Sequence, residues 1–384
     1  MPVSAAPAPS EVLDAVGAVV DDTVAPAAAE VDRTGAYPRA DVEALARVGA
    51  LGVLSGPDVG GAGGTLADVI GVLETIARAD ASTAMVVLMH YAAVAVIEAH
   101  GQEPVRREIA QGRHLSTLAL SERGSRSHFW APVSTATAAE DGVRLDAAKS
   151  WVTSAGEADS YVWSSRPVAA AGPMTLWLVP AGTPGIAVTG TFDGFGLRGN
   201  ASSPMSADGA VVPASARLAD DGGGLEVALS TALPTFLVGN AAVSLGLMEA
   251  LVDEAAGHLT ASRLEHLDQT LADQAPTRLE FAALRTRVDA TRAFLADTLA
   301  ALDAGRPDAT LRVLQVKAVA AEAAAEVADG VMRLCGGAAF RKELGIERRY
   351  RDALAARVMA PTTPALHDFV GRAALGLPLF GGAR

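Results

Sequence analysis

Hydrophobic and polar positions divide the chain into three stretches with different periodicities. From residue 11 to about residue 113, apolar side chains recur every three to four positions, which predicts amphipathic helices. A glycine-rich loop at 60–64 precedes Thr65, which is placed to cap the next helix. Residues 85–99 are almost entirely apolar, so we expect a buried helix there.

The second stretch, from residue 115 to about residue 212, predicts short strands. Gly, Pro and Asp separate runs that are rich in Val, Trp, Tyr and Thr, and Asp141-Gly142 is a hairpin signal between two such runs. Further strands are predicted at 161–163, 174–179, 185–188 and 209–213. We expect an antiparallel sheet domain.

The third stretch has a helical pattern from residue 225 to the end. It predicts helices at 225–259 (bent at Pro234), 277–304, 308–334 and 364–375, with Gly336-Gly337 ending the third. Four helices with short connections form a bundle. The predicted fold is α+β, with a helical domain at 1–114, a β domain at 115–219 and a four-helix bundle at 220–384.

Composition and charge exclude several classes of protein. The chain has 384 residues, a formal net charge of −13 and a pI near 5.0, which disfavours a nucleic-acid partner. Cys335 is the only cysteine and the seven histidines lack the spacing of metal ligands, so we expect neither a disulfide nor a metal site. The N-terminus lacks a signal-peptide pattern and no apolar run reaches the length of a membrane span. We therefore expect a soluble, cytoplasmic protein without a membrane partner.

The strongest chemical signal lies between residues 118 and 153. A loop that begins at Ser121 reads S-E-R-G-S-R-S-H, and the strand after the hairpin ends in K-S-W-V-T at Lys149, Trp151 and Thr153. A hydroxyl at a strand end and another beside an indole can hydrogen-bond the edge of a flat ligand while the indole covers its face. An ordinary hairpin with one core tryptophan would have the same residues.

This segment resembles the central signature of the acyl-CoA dehydrogenase flavoproteins, T-E-P-x-x-G-S-D followed by G-x-K-x-W-I-T. Ser121-Glu122 and Gly124 correspond to T-E and G, whereas Ser127-His128 stands where the family has S-D. The resemblance implies FAD as the cofactor and the same order of helical, β and helical-bundle domains. The cofactor contacts that it implies here are Leu120, Ser121, Ser127, Trp151 and Thr153.

Two C-terminal motifs resemble further cofactor elements of the family. Arg263 and Gln274 match its R-x-x-F-G motif and spaced glutamine, although His266 and Leu267 replace the Phe and Gly. The implied role of Arg263 is to reach the FAD pyrophosphate of a neighbouring subunit, which makes the protein a homo-oligomer, a dimer or tetramer. A solvated helix arginine is the alternative.

The family's Q-x-x-G-G motif corresponds to Arg333, Gly336 and Gly337. Adjacent glycines let a diphosphate approach the backbone closely, and Arg333 adds positive charge; a plain helix C-cap is the alternative.

The catalytic glutamate of the family is absent. Arg351-Asp352 matches the family's R-D element, and counting on from Asp352 places its E-G-T on Ala360, Pro361 and Thr362. Thr362 is implied to hydrogen-bond the flavin, but Ala360 cannot take the α-proton of an acyl thioester, a role that contributes roughly 10²–10⁴ in rate. The other position used for a base in the family is Phe236 here. The backbone N–H of Ala360 can still donate to a carbonyl oxygen.

Candidates for a displaced base are His128 in the flavin loop and His367, which follows the active-site loop together with Asp368. Glu122 is also considered, but ordinary family members have the same glutamate, which favours a structural role. Each of these residues has a hydrogen-bonded structural role as its alternative. Phe129, Trp130 and Phe236 are predicted to line the substrate pocket, or else to be plain core.

Three functions are compatible with this pattern. The first is a FAD-dependent oxidoreductase of the acyl-CoA dehydrogenase type that acts on an acyl thioester or related small molecule and passes electrons to an electron-transfer flavoprotein. The second is a flavin-dependent monooxygenase that uses a C4a-hydroperoxide and draws electrons from a flavin reductase. The third is a non-catalytic FAD-binding subunit.

Overall fold

The structure is a computed structural model that describes residues 7–126 and 128–380, so the predicted cofactor contact Ser127 lies outside the described residues. The N-terminal helices are α1 Pro9–Val19, α2 Ala25–Thr34, α3 Arg39–Arg47, α4 Leu66–Ala79, α5 Ala81–His100 and α6 Glu103–Ala110. Thr65 and Asp68 form a capping box at α4. The buried helix predicted at 85–99 is confirmed as α5, which is buried on nearly every side.

The middle domain contains two four-stranded sheets. Its strands are β1 Ser116–Ala119, β2 Thr135–Ala139, β3 Gly142–Val152, β4 Ser160–Ser165, β5 Thr175–Pro180, β6 Ile186–Val188, β7 Ser203–Val212 and β8 Arg217–Leu218. The sheet orders are β1-β4-β5-β8 and β2-β3-β7-β6. The predicted hairpin is confirmed, with Ala139 opposite Gly142.

The prediction of a purely antiparallel domain was wrong. β1 and β4 run parallel, with Leu118 opposite Val162. The chain leaves the first sheet after β1, forms the β2–β3 hairpin in the second sheet and then returns, which gives the crossover that a parallel pair requires.

The C-terminal region begins with α7 Gly224–Val227 and α8 Leu233–Ala261, followed by a small hairpin of β9 Arg263–Leu264 and β10 Gln269–Thr270. The remaining helices are α9 Ala275–Asp303, α10 Ala309–Cys335, α11 Ile346–Ala353, α12 Ala355–Val358 and α13 Thr363–Ala374. A π-helical turn, Ala228–Ala232, separates α7 from α8. Pro234 therefore lies in the first turn of α8, where proline is tolerated.

Helices α11 and α12 were not predicted. The sequence of α11, IERRYRDA, is mostly charged, and its apolar stripe consists of only Ile346, Tyr350 and Ala353 in a helix of eight residues. Its buried positions include Arg348 and Asp352, which are buried through polar contacts. Charged residues that pair in the interior conceal the pattern on which the prediction depended.

The expectation that no apolar run has the length of a membrane span was also wrong. Ala81–His100 and Gly224–Ala261 both meet that length with a mean hydropathy of 1.6. Within the protein, however, 83% and 100% of the respective apolar windows are buried. Both are core helices: α4, α5, α9 and α10 all pack against α8.

Buried polar contacts join the three regions beneath the predicted active-site segment. Arg351 of α11 forms an ion pair of 2.6 Å with Asp32 of α2, and its Nη1 donates to the Phe195 carbonyl at 3.0 Å. Asp352 accepts the Leu197 N–H at 2.6 Å. Because α11 leads directly into α12, these contacts fix where the segment around Ala360 begins.

Candidate functional site

The structure pairs Ser121 with Ser150, which directly precedes Trp151. After β1 the chain pairs with β3: the Ser150 N–H donates to the Ser121 carbonyl and the Arg123 N–H to the Ala148 carbonyl, both at 3.0 Å. Leu120 and Ser121, both partly buried, therefore lie against the end of β3. Two segments 30 residues apart in sequence form one surface, as the sequence motif implied.

A buried ion pair fastens these two segments together. Glu122 Oε1 lies 2.5 Å from Lys149 Nζ, and the side chains are 2% and 0% exposed. Glu122 also accepts the Ser134 N–H at 2.9 Å and the Ser134 hydroxyl, while Lys149 donates to the Ser164 carbonyl at 2.7 Å. Burial lowers the pKa of Lys149 to about 8, although the negative charge of Glu122 acts to raise it. Burial also raises the pKa of Glu122, but Lys149 and the Ser134 and Val133 hydrogen bonds outweigh this and keep its carboxylate ionised.

These contacts commit Glu122 to the ion pair. It is therefore a structural group rather than a free base.

Trp151 exposes 70% of its surface, which is unusual for an indole in a folded domain. The rings of Trp151 and Phe192 are nearly perpendicular, with centroids 6.4 Å apart. Thr153, two residues on, is 2% exposed, and its hydroxyl lies 3.1 Å from that of Ser202. The end of β3 thus presents a flat aromatic face next to a buried hydroxyl pair.

The loop after Ser121 packs against the C-terminal helix through aromatic rings. The Trp130 centroid lies 5.2 Å from those of Phe129, Phe369 of α13 and Phe380. His128 is exposed, and its ring meets Trp130 edge-on at 4.8 Å. Its Nδ1 lies 2.8 Å from the Ser125 carbonyl, which makes Nδ1 the donor and Nε2 the acceptor of the neutral ring.

Ala360 lies in a segment that a buried lysine binds from within the bundle. Lys317 of α10 is fully buried, and Nζ donates to the carbonyl oxygens of Ala356, Met359 and Pro361 at 2.9, 2.9 and 2.8 Å. The same Nζ lies 6.0 Å from the ring centroid of Phe236. The structure therefore brings the two predicted positions for a base, 360 and 236, to one lysine, and neither has a carboxylate.

The residues that follow Ala360 begin α13. Thr362 is its N-cap, with its hydroxyl 3.5 Å from the Ala365 N–H. His367 and Asp368 are exposed on this helix, and Asp368 pairs with Arg372 at 2.7 Å. Asp368 is thus engaged with its helical neighbour.

The predicted diphosphate contacts lie on the surface of the bundle. Arg263 pairs with Asp268 within the β9–β10 hairpin, and Arg333, 63% exposed, lies 3.1 Å from Glu280. Gly336 has φ +55°, and a Cβ on Gly336 or Gly337 would meet no other atom within 4 Å. Within 7–126 and 128–380, no hydrogen bond or ion pair of Arg263 or Arg333 reaches the Trp151 surface.

Comparison with known proteins decides the family. Models of the acyl-CoA dehydrogenase N-terminal, middle and C-terminal domains match residues 7–112, 117–210 and 222–375. The chain belongs to the acyl-CoA dehydrogenase family. The predicted fold class is thereby confirmed, and the family's members are FAD-binding oxidoreductases.

Named relatives span almost the whole chain. Cyclohex-1-ene-1-carbonyl-CoA dehydrogenase of Geobacter metallireducens is 27% identical over 372 residues, which cover 94% of this chain and 97% of the relative. The short-chain specific acyl-CoA dehydrogenase of Bos taurus is 27% identical over 349 residues, 85% and 80% of the two chains. The structure of butyryl-CoA dehydrogenase from Megasphaera elsdenii superposes with a TM-score of 0.89 and 22% identity. The superposition covers 96% of this chain and 98% of that one, which shows the shared fold.

Sequence reasoning missed Lys317 and its three carbonyl partners. The signal was present, because the chain has only three lysines and this one lies in an alanine- and valine-rich helix. A long charged side chain on the buried face of a helix requires acceptors. Which acceptors it finds depends on the backbone of a segment about 40 residues later, and no local pattern records that.

Proposed function

We propose that the protein is a FAD-dependent oxidoreductase that oxidises the acyl group of a thioester, without a carboxylate at the usual position of the base. The observation that carries the proposal is the exposed indole of Trp151, fixed beside Ser121 by the Glu122–Lys149 ion pair. A planar tricyclic ligand suits an exposed aromatic face flanked by hydroxyl and backbone donors. The names of several relatives specify CoA thioesters, which supports the substrate class.

The residues around the indole fit the ring system of FAD. Leu120, Ser121, Trp151 and Thr153 would contact it from the β domain, and Thr362 from the N-terminus of α13. When bound, FAD supplies the acceptor for the hydride that leaves the substrate. Phe129, Trp130 and Phe236 would exclude water from the acyl group.

The diphosphate of the FAD in a second subunit would be bound by Arg263, Arg333, Gly336 and Gly337. Their position on the bundle surface supports a homo-oligomer, a dimer or tetramer, and Arg supplies the charge-assisted hydrogen bonds that phosphate requires. An electron-transfer flavoprotein is the proposed electron acceptor. A cytoplasmic location is part of the proposal, and the acidic pI disfavours a nucleic-acid partner.

The proton acceptor in this proposal is a histidine. Glu122 is bound to Lys149, and Asp352 is buried against the Leu197 N–H, so neither is free. His128 is the preferred candidate, because its Nε2 is an acceptor and its ring contacts Trp130 of the predicted pocket. His367, exposed on α13, is the second candidate.

One observation favours a monooxygenase on the same fold as the second candidate function. Positions 360 and 236 are Ala and Phe, whereas Trp130, Phe129 and Phe369 form an aromatic wall. Hydroxylation by reduced flavin and oxygen needs a dry pocket and has no need of a carboxylate. The electrons would then come from a flavin reductase.

Product analysis tests these alternatives. The FAD-loaded protein is incubated without oxygen with acyl-CoA thioesters of increasing chain length and a dye acceptor, and the products are weighed by mass spectrometry. Loss of two hydrogens from the acyl chain supports the proposal, and His128→Ala should then abolish it whereas His367→Ala should not. Gain of an oxygen atom, only with oxygen and reductant, supports the monooxygenase. Bound FAD with neither product identifies a non-catalytic subunit and overturns the proposal.

A further inference from the structure

A small cavity lies next to the segment that contains Ala360. Helices α5, α8, α11 and α12 surround it, and its volume of about 10 Å³ admits one group the size of a water molecule. Met359, which directly precedes Ala360, forms part of its wall. So does Asn240, which lies one helical turn from Phe236 on the same face of α8. The cavity therefore adjoins both positions, 236 and 360, that the proposed function places at the acyl group.

The side chain of Asn240 has an acceptor that the protein leaves unused. The residue is 1% exposed, and within residues 7–126 and 128–380 its Oδ1 has no hydrogen-bond partner. Its Nδ2 lies 3.8 Å from the sulfur of Met359, which is a weak acceptor. A buried amide without its hydrogen bonds loses its hydration and gains nothing in return. A ligand that supplies the missing donor to Oδ1 accounts for its presence here.

The other polar groups of the cavity restrict the chemistry of that donor. Ser244 and Asp352 are the remaining polar side chains in the wall, and Asp352 already accepts the Leu197 N–H at 2.6 Å. A carboxylate has no donor and would meet the carboxyl group of Asp352. An ammonium group needs three acceptors in a space for one water-sized group. An alcohol fits, because its O–H donates to Asn240 Oδ1 and its lone pairs accept from the Ser244 hydroxyl.

We propose that Asn240 selects acyl thioesters whose chain ends in a hydroxyl group, and that this hydroxyl donates to Asn240 Oδ1. The inference rests on the proposed function, which supplies the thioester. Met359 is the side chain that moves to admit the chain end, because an unbranched thioether changes rotamer easily. Its backbone stays in place, since its carbonyl accepts from Lys317 Nζ at 2.9 Å.

The test compares pairs of acyl-CoA thioesters in which a hydroxyl group replaces the terminal methyl group. The pairs run from pentanoyl-CoA with 4-hydroxybutanoyl-CoA to nonanoyl-CoA with 8-hydroxyoctanoyl-CoA. The kcat/KM for flavin reduction is measured on the FAD-loaded protein without oxygen, with a dye as acceptor. In at least one pair the wild type should favour the hydroxyl member by roughly tenfold or more, because the methyl group leaves Oδ1 unpaired.

Two variants of the cavity wall locate the preference. Asn240→Leu keeps the size of the side chain but removes its acceptor, so the preference should be lost or reversed. Val243→Ala changes the same wall and keeps the amide, so it should alter both rates together and leave their ratio unchanged. The ratio cancels a general loss of activity, so a variant that is merely less stable does not imitate the predicted result.

The comparison of pairs on the wild type needs no variant, and it stands if Asn240→Leu does not fold. A wild type that favours the methyl member, or neither member, in every pair overturns the inference while the proposed function stands. A preference that persists in Asn240→Leu also overturns the role of Asn240. If no member of any pair reduces the flavin, the proposed function fails and this inference fails with it.

Discussion

Glu122 and Lys149 form an ion pair that is closed to solvent, with Oε1 2.5 Å from Nζ. Glu122 directly follows Ser121, and Lys149 lies two residues before Trp151. The pair therefore joins the two segments that form the proposed FAD surface. A buried ion pair is more effective at fixing an arrangement than at adding stability, because both charges lose their hydration.

Lys149→Met should destabilise the protein by about 3–5 kcal/mol, because it leaves the Glu122 carboxylate buried without its counter-charge. Urea unfolding of the FAD-free protein measures this. Lys342→Met, at an exposed position, should change stability by no more than about 0.5 kcal/mol. Adding Glu122→Gln to Lys149→Met should restore part of the loss, and a single-variant loss equal to that of the control would show that the pair has no structural role.

Trp151→Ala should separate cofactor binding from stability. Since the indole is 70% exposed, its removal should alter the unfolding free energy of the FAD-free protein by less than about 0.5 kcal/mol. FAD affinity should fall about tenfold or more, because the ring loses its stacking surface. Trp130→Ala is the matched comparison: it removes the centre of an aromatic cluster and should cost at least about 2 kcal/mol. Unchanged FAD affinity in Trp151→Ala would refute the placement of the cofactor.

Asp352→Asn should flatten the dependence of stability on pH. Burial raises the pKa of Asp352 to about 7, assisted by the charge of Asp80 and opposed by the Leu197 hydrogen bond and Arg348. A carboxyl with a raised folded-state pKa contributes its stability at low pH and loses it as the pH rises through about 7. The wild type should therefore lose roughly 2–4 kcal/mol between pH 4 and 7 relative to Asp352→Asn, whose side-chain oxygen still accepts the Leu197 N–H. Denaturant midpoints across pH measure this, with Asp368→Asn on the surface as the control.

Ala360→Glu should add the missing base. If the flavin and the thioester bind as proposed, a carboxylate at this position should speed flavin reduction by acyl-CoA by roughly 10²–10⁴. Ala360→Gln has a similar shape but cannot take the proton, and should show no gain. Stopped-flow absorbance gives both rates. A variant that binds FAD and thioester normally yet gains nothing would mean that residue 360 does not face the substrate α-carbon.

Gly336→Ala and Gly337→Ala distinguish a diphosphate site from a plain helix cap. Gly336 has φ +55°, so alanine there should cost about 1–3 kcal/mol of stability through backbone strain alone. Gly337 has no such φ and its Cβ would enter open space, so Gly337→Ala should leave the fold stable. A selective loss of FAD affinity in Gly337→Ala supports close approach of the diphosphate, and full affinity supports the plain cap.

Local patterns sufficed for much of the fold. Asp141-Gly142 predicted the β2–β3 hairpin, and the apolar run at 85–99 predicted buried α5. Both features depend on residues that are adjacent in sequence, namely the turn residues and an uninterrupted apolar run. The parallel β1–β4 pair was not predicted, because it depends on a crossover through a second sheet. Helix α11 was not predicted because it is short and mostly charged. Its partly buried Arg351 pairs with Asp32 of α2, and its buried Asp352 accepts the Leu197 N–H.

In the candidate site, too, the features set by local sequence could be predicted and those set by tertiary contacts could not. The resemblance related Ser121 to Trp151, and the structure pairs Ser121 with Ser150, the neighbour of Trp151. The resemblance could not reveal that Glu122 is committed to Lys149, or that Lys317 binds three carbonyls around Ala360, because both facts depend on side chains that meet only in the folded chain. The identity of the proton acceptor likewise depends on side chains that meet only in the folded chain.

Anaerobic titration of the FAD-loaded protein with acyl-CoA thioesters, followed by visible absorbance, tests the central claim most directly. A flavin beside Trp151 that accepts hydride from a bound acyl group should lose its visible band as a thioester is added, and the loss should weaken in Trp151→Ala. A purified protein that takes up no FAD, or a flavin band that persists with every thioester, would contradict the claim.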